Sequence, residues 1–138
     1  MLFLLLMIIL TQPADAERIV SVELTLQTRG VYKSILVTPK QTQVEVNGKQ
    51  QKRPTPSAQW QAILKALQGV NLRGLSSLPV DVSRTAVDSA LSARLRVATT
   101  TQTYESAPYD HPNPPAGLVS LIRTIVAVAP PASRAEFR

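Results

Sequence analysis

Residues 19–27 read Ile-Val-Ser-Val-Glu-Leu-Thr-Leu-Gln, and this alternation decides the fold. Every second side chain from Val20 to Leu26 is apolar, which is the period of a β-strand with one buried and one solvated face. Residues 28–30 end in Gly30, which can adopt the positive φ that a tight turn requires. Because residues 31–38 are rich in β-branched side chains, they predict a second strand that returns beside the first.

The next segment predicts a second hairpin. Residues 43–46 form a short third strand, and Asn47-Gly48 is the strongest two-residue hairpin signal that a sequence carries. The returning arm, residues 49–53, is entirely polar. We therefore expect an exposed ribbon at this end of the sheet.

The first helix is predicted by its periodicity and its flanking residues. Ser57 is expected to cap this helix and Gly69 to end it. The apolar side chains between them follow the i, i+3, i+4, i+7 rule and are Trp60, Ile63, Leu64 and Leu67. At this spacing we expect Trp60 to lie in the core rather than to stack on a ligand.

The second half of the chain predicts two more strands. Residues 90–99 alternate between apolar and polar, with Arg94 and Arg96 on the outward face, and residues 102–107 return beside them. Four prolines within residues 108–115 exclude regular structure from that segment.

A second helix is predicted from about Pro114 to residue 128, with Asn113 as its N-cap. The sequence therefore indicates an α+β protein: an antiparallel sheet of four to five strands with two amphipathic helices packed on one face. We expect a single domain over residues 17–129 and a loose C-terminal tail over residues 130–138.

The N-terminus has the pattern of an export signal. Residues 2–10 are nine consecutive apolar residues, which are too few to span a bilayer but suit the hydrophobic region of a signal peptide. Ala14-Asp15-Ala16 follows as a small-x-small cleavage site, so residues 1–16 are the predicted signal peptide and Glu17 is the predicted first mature residue. The alternative is a buried N-terminal strand. On the export interpretation the protein is periplasmic or secreted, with no stable membrane insertion after processing.

Composition excludes several classes of site. The chain has no cysteine, which rules out a disulfide scaffold, a thiolate metal site and a cysteine nucleophile. It has one histidine, His111, so one copy cannot build a multi-histidine centre. Fifteen Lys and Arg against nine Asp and Glu give a net charge of +6, which favours anionic partners. Because aromatic residues are few and do not alternate with basic ones, we expect no nucleic-acid partner. We also expect no metal or other cofactor.

The surroundings of His111 offer little for catalysis. Ser106 and Asp110 could complete a Ser-His-Asp set, but neighbouring side chains in an extended segment point apart, and no nucleophile-elbow motif is present. His111, Asp110 and Asp88 could hold a metal, but they lack a metal-binding spacing. We therefore predict no catalytic residues.

The proline-rich segment has two other interpretations. As a rigid recognition loop it would present Tyr109, Asp110, His111 and Asn113 to solvent, and its prolines would lower the entropy lost on binding. Alternatively, Asp110 and Asn113 accept backbone amides in the turn and at the helix start, and Tyr109 packs under the helix.

Residues 104–115, Tyr-Glu-Ser-Ala-Pro-Tyr-Asp-His-Pro-Asn-Pro-Pro, resemble the Tyr-x-Ser-x-x-Phe-Asp-His-Gly-Asn-Pro-Pro segment of small exported bacterial proteins of unknown function. Residues 82–90 resemble the Pro-Ser-x-x-Arg-x-x-Asp-Gly-Ala-like stretch of the same proteins, and the likeness extends over most of the mature chain. Pro112 and Ser89 replace two glycines of that pattern, and Tyr109 replaces the phenylalanine. Because Pro112 has no N–H and cannot adopt a positive φ, the loop conformation should differ. The layout, from opening hairpin to closing helix, is also similar to that of emfourin-type inhibitors of thermolysin-like metalloproteases.

These observations predict a small exported, non-enzymatic module that binds another exported protein, with protease inhibition as one form of that binding. Two alternatives stay open: a structural, envelope-associated domain, and an enzyme that uses Asp110 and His111.

Overall fold

The computed structural model describes residues 17–85 and 90–138. The predicted signal peptide and Asp88 therefore lie outside the described residues. The strands are β1 (Ile19–Thr28), β2 (Val31–Val37), β3 (Gln41–Val46), β4 (Lys49–Pro54), β5 (Ser92–Thr99), β6 (Thr103–Glu105) and β7 (Tyr109–Asp110). The helices are α1 (Ser57–Leu67), α2 (Val119–Val128) and α3 (Pro131–Arg134), with 3-10 turns at Leu72–Ser77, Ala116–Leu118 and Ala135–Phe137.

The strands form one antiparallel sheet in the order β4-β3-β2-β1-β5-β6, and the two-residue β7 pairs with β5. The α+β prediction is confirmed, and the short strands β6 and β7 bring the sheet to seven strands. Both predicted hairpins are present. Gly30 has φ 76° in the first, while Asn47 and Gly48 have φ 49° and 88° in the second, as a primed two-residue turn requires.

Both main helices pack on the same face of the sheet, as predicted. That face carries the buried apolar side chains of β1, β2, β3 and β5, such as Leu24, Ile35 and Leu95, and α1 and α2 cover them with Trp60, Ile63, Leu121 and Ile125. Trp60 is 7% exposed, which confirms its place in the core. Arg94 and Arg96 point to the uncovered face.

Both predicted helix caps are wrong. Ser57 is the first residue of α1, and its side chain makes no capping hydrogen bond. The second helix begins at Val119, not near Pro114, and the side chain of Asn113 does not cap it. The physical reason is that Pro115 disfavours helical backbone at Pro114, so the chain stays extended through Pro115 before it turns.

The predicted loose tail is also wrong, and the domain extends past residue 129. Phe137 is 3% exposed and belongs to the core cluster. The carboxylate of Glu136 forms an ion pair with Lys33 of β2, with Oε2 2.7 Å from Nζ. Ser133 Oγ donates a hydrogen bond to Gln51 Oε1 of β4 at 3.2 Å. The segment lies at the β3–β4 end of the sheet, where Ala132, Ser133 and Glu136 line one pocket together with Val44 and Val46.

Candidate functional site

The strand β7 turns the first half of the predicted recognition loop inward. Tyr109 lies opposite Ala93 and Asp110 opposite Ser92 in the pairing with β5. Tyr109 is 1% exposed, and burial raises the pKa of its hydroxyl far above the ordinary value. Tyr109 therefore packs in the core, as the second interpretation of the segment had it, and offers no surface to a partner.

Asp110 is fully buried and joins its own loop to residues 81–85 through hydrogen bonds, which we call the Asp110 clamp. Its two carboxylate oxygens accept the backbone amides of Arg84 at 2.8 Å and Thr85 at 3.0 Å, and its own amide donates to the Asp81 carbonyl at 2.6 Å. Burial acts to raise the pKa of Asp110, but these amide hydrogen bonds outweigh it and hold the pKa below the ordinary value. The prediction that Asp110 accepts amides in a turn is confirmed, although the turn is in residues 81–85 rather than at the helix start.

Asn113 belongs to the same clamp. Its amide donates to the Asp110 carbonyl at 2.9 Å, and its Nδ2 donates to an Asp81 carboxylate oxygen at 3.4 Å. The side chain is exposed. Asn113 therefore closes the loop rather than starting the helix.

Ser106 is committed to the sheet. Its Oγ accepts the amide of Leu95 at 2.9 Å, and its own amide donates to the Leu95 carbonyl at 2.8 Å. The residue is buried. Since the Asp110 carboxylate is also occupied, neither residue is free to activate a nucleophile or to orient His111.

His111 is the point at which the loop reaches the surface. Its amide donates to the Leu91 carbonyl at 2.9 Å, which fixes the backbone, and the side chain is half-buried. Its ring Nε2 has no hydrogen-bond partner among the described residues. His111 and the neighbouring Pro112 line a surface groove.

This groove, which we call the α2 groove, has a volume of about 440 Å³. It is also lined by Ile122 and Val126, one turn apart on α2, and by the buried Phe137. Three arginines also line it: Arg123, Arg134 and Arg138. Volumes of this order and a mostly apolar lining are typical of binding sites.

Two arginines fix the end of α2 and with it the wall of the groove. Arg134 donates from Nε to the Ala129 carbonyl at 2.9 Å and from Nη2 to the Ala127 carbonyl at 3.0 Å. Arg53 of β4 donates to the Val128 carbonyl. Both arginines therefore donate to carbonyls that have no hydrogen-bond partner within the helix, at the C-terminal end where the helix dipole is negative.

Sequence reasoning missed the α2 groove because it treated the C-terminal residues as a tail. The available signal was a large apolar residue, Phe137, three positions after Arg134 and shortly beyond a helix stop. A residue of that kind is more often buried than left in solvent.

The carboxylate of Glu17, the predicted first mature residue, is held by three hydroxyl groups. Its Oε1 accepts hydrogen bonds from Thr99 at 2.5 Å, Thr101 at 2.8 Å and Tyr104 at 3.1 Å. The bonds from Thr99 and Thr101 lower the pKa of Glu17. The described part of the chain thus begins with an anchored residue.

No protein-family model, curated protein or solved structure matches this chain. Over residues 17–85 and 90–138, no three His, Asp or Glu side chains come together as a metal site would require. No helix in the same ranges is long and apolar enough to cross a membrane.

Proposed function

We propose that this protein is an exported, non-enzymatic module that binds another exported protein through the α2 groove. The observation that carries the proposal is the groove itself, which is lined by the half-buried side chains of Ile122 and Val126 on α2 and by His111 and Pro112. Binding sites combine such an apolar surface with a few polar groups that fix orientation. Export rests on the pattern of residues 1–16.

Hydrogen bonds within the domain hold the elements that line the groove, so a partner can bind without rearranging them. His111 is fixed through the Leu91 carbonyl, and the Asp110 clamp holds the residues before it. The end of α2 is fixed by Arg53 and Arg134. A surface that is already ordered loses little entropy when a partner docks, which favours affinity.

The alternative of an enzyme that uses Asp110 and His111 receives no support from the geometry. Both Asp110 oxygens are occupied by backbone amides, so the carboxylate is not available to orient the imidazole. The alternative of a structural, envelope-associated domain predicts a different partner for the same surface. Because the sequence resembles emfourin-type inhibitors in its predicted layout, an exported protease is the first class of partner to test.

Site-specific photo-crosslinking in the producing organism tests the proposal. Benzoylphenylalanine is incorporated at Ala127, which is exposed and lines the α2 groove, and in a separate strain at Gln61, an exposed residue of α1. We expect one discrete protein adduct in the exported fraction from position 127 and none from position 61. The absence of an adduct at 127, or the same set of adducts from both positions, would refute the proposal.

If the adduct is a protease, inhibition is measured with the purified pair. Inhibition that Ile122→Ala weakens would establish the inhibitor form of the proposal. An adduct with a glycan-anchored or envelope structural protein would instead favour the structural alternative.

A further inference from the structure

The charges around the α2 groove are all of one sign. Arg123, Arg134 and Arg138 line it, and no aspartate or glutamate of the described residues does. The nearest acid along the C-terminal segment, Glu136, is instead paired with Lys33 at 2.7 Å. The groove therefore combines an apolar lining with three arginine side chains, which we call its rim.

The three arginines are not equivalent. Arg134 is committed to the carbonyls of Ala127 and Ala129, where it serves as a cap. Arg123 is exposed and makes no ion pair or side-chain hydrogen bond with any described residue. Elsewhere on the described surface, arginines that face a neighbouring acid do pair, as Arg96 does with Glu105 at 2.9 Å. Arg123 is thus a cation that lines the groove and has no ion pair among the described residues.

We propose, on the basis of the proposed function, that the α2 groove binds an acidic, apolar segment of the partner protein. One or two large apolar side chains would lie against Ile122 and Val126, and flanking carboxylates would pair with Arg123. An arginine can hold a carboxylate through two parallel hydrogen bonds, which adds orientation to attraction. The net charge of +6 would also speed the approach of an acidic partner.

Three peptides of equal apolar content serve as probes of this inference: acidic acetyl-DELFLDE-amide, neutral acetyl-QQLFLQQ-amide and basic acetyl-KKLFLKK-amide. Each is titrated into the isotopically labelled protein, purified from the exported fraction, and the amide signals are followed by NMR. We expect the acidic peptide to shift the signals of Ile122, Val126 and Phe137. Its affinity should exceed that of the basic peptide by about tenfold at low salt, and the difference should shrink as salt screens the rim.

Arg123→Gln is the decisive variant, and Arg29→Gln is its matched control because Arg29 is an exposed arginine in the β1–β2 turn, away from the groove. We expect Arg123→Gln to weaken the acidic peptide about threefold to tenfold and to leave the neutral peptide unchanged, and Arg29→Gln to change neither. Equal groove binding by all three peptides would overturn the charge inference while leaving the proposed function standing. If no peptide binds, or if the NMR shifts are confined to another surface, this inference is overturned as well. Failure of the crosslink at Ala127 would instead overturn the proposed function.

Discussion

Replacement of Phe137 by alanine is the most direct test of how the C-terminal segment is held. The side chain is 3% exposed, and a buried aromatic side chain removes about 150–250 Å² from water. At about 25 cal/mol per Å², this corresponds to a gross transfer free energy of about 4–6 kcal/mol, and measured Phe→Ala losses in cores are about 3–5 kcal/mol. Because the C-terminal segment can detach while the sheet stays folded, the loss is limited by the docking free energy of that segment. We therefore expect the free energy of unfolding to fall by about 2–4 kcal/mol.

The assay is urea unfolding followed by tryptophan fluorescence, with Tyr32→Ala as the control. Tyr32 is 37% exposed on the uncovered face of the sheet, so its truncation should cost less than about 1 kcal/mol. Limited proteolysis should also cleave within residues 130–138 faster in Phe137→Ala than in the control. A loss no larger than that of Tyr32→Ala, with unchanged proteolysis, would show that the segment is not docked in solution and would refute the reasoning.

Three further predictions concern the core, the clamp and the N-terminus. Trp60→Ala should lower the free energy of unfolding by about 3–5 kcal/mol, and a fluorescence maximum like that of free tryptophan in the native protein would contradict its burial. The pKa of Asp110 in the folded protein lies below its ordinary value of 3.8, so the ionised carboxylate stabilises the fold above pH 3.8. The free energy of unfolding of the wild type should therefore exceed that of Asp110→Asn at neutral pH, and this difference should shrink as the pH falls below 3.8. A difference that grows in acid would be inconsistent with the clamp. Mass spectrometry of the exported protein should find Glu17 as the first residue, and an intact Met1 on cytoplasmic protein would exclude the export interpretation.

The parts of the fold that follow from local pattern were predictable. The alternation of β1 specified its buried face, and Asn47-Gly48 specified the turn that joins β3 to β4 because few residue pairs accept a positive φ twice in succession. The i, i+3, i+4, i+7 spacing placed Trp60 in the core. In each case the signal lies within a few residues of the feature that it predicts.

The start of α2 could also have been predicted, and the error shows which rule was left out. Pro114 suits the first turn of a helix, which favoured Asn113 as the cap. Pro115 follows it directly, however, and a residue before proline is disfavoured in the helical region. The second rule dominates because it acts on the backbone of Pro114 itself, so the helix begins five residues later, at Val119.

The clamp and the α2 groove could not be predicted, because their contacts join distant parts of the chain. Asp110 binds amides 25 and 26 residues earlier in the sequence, and Arg53 reaches a carbonyl 75 residues later. No local pattern distinguishes an aspartate that will be buried by such bonds from one that will face solvent. The prediction of a solvent-facing loop failed for Tyr109 and Asp110 for this reason, whereas His111 does reach the surface.

The two walls of the α2 groove are fixed by separate sets of hydrogen bonds, and this separation has a consequence for binding. The His111 wall depends on the Asp110 clamp and on the Leu91 carbonyl, both tied to the β5–β7 end of the sheet. The α2 wall depends on Arg53, which reaches it from the opposite edge strand β4. The elements on which these lining residues lie are thus held by hydrogen bonds within the domain. A partner that docks in the groove gains affinity because it does not have to order these elements, which are already ordered when the domain folds.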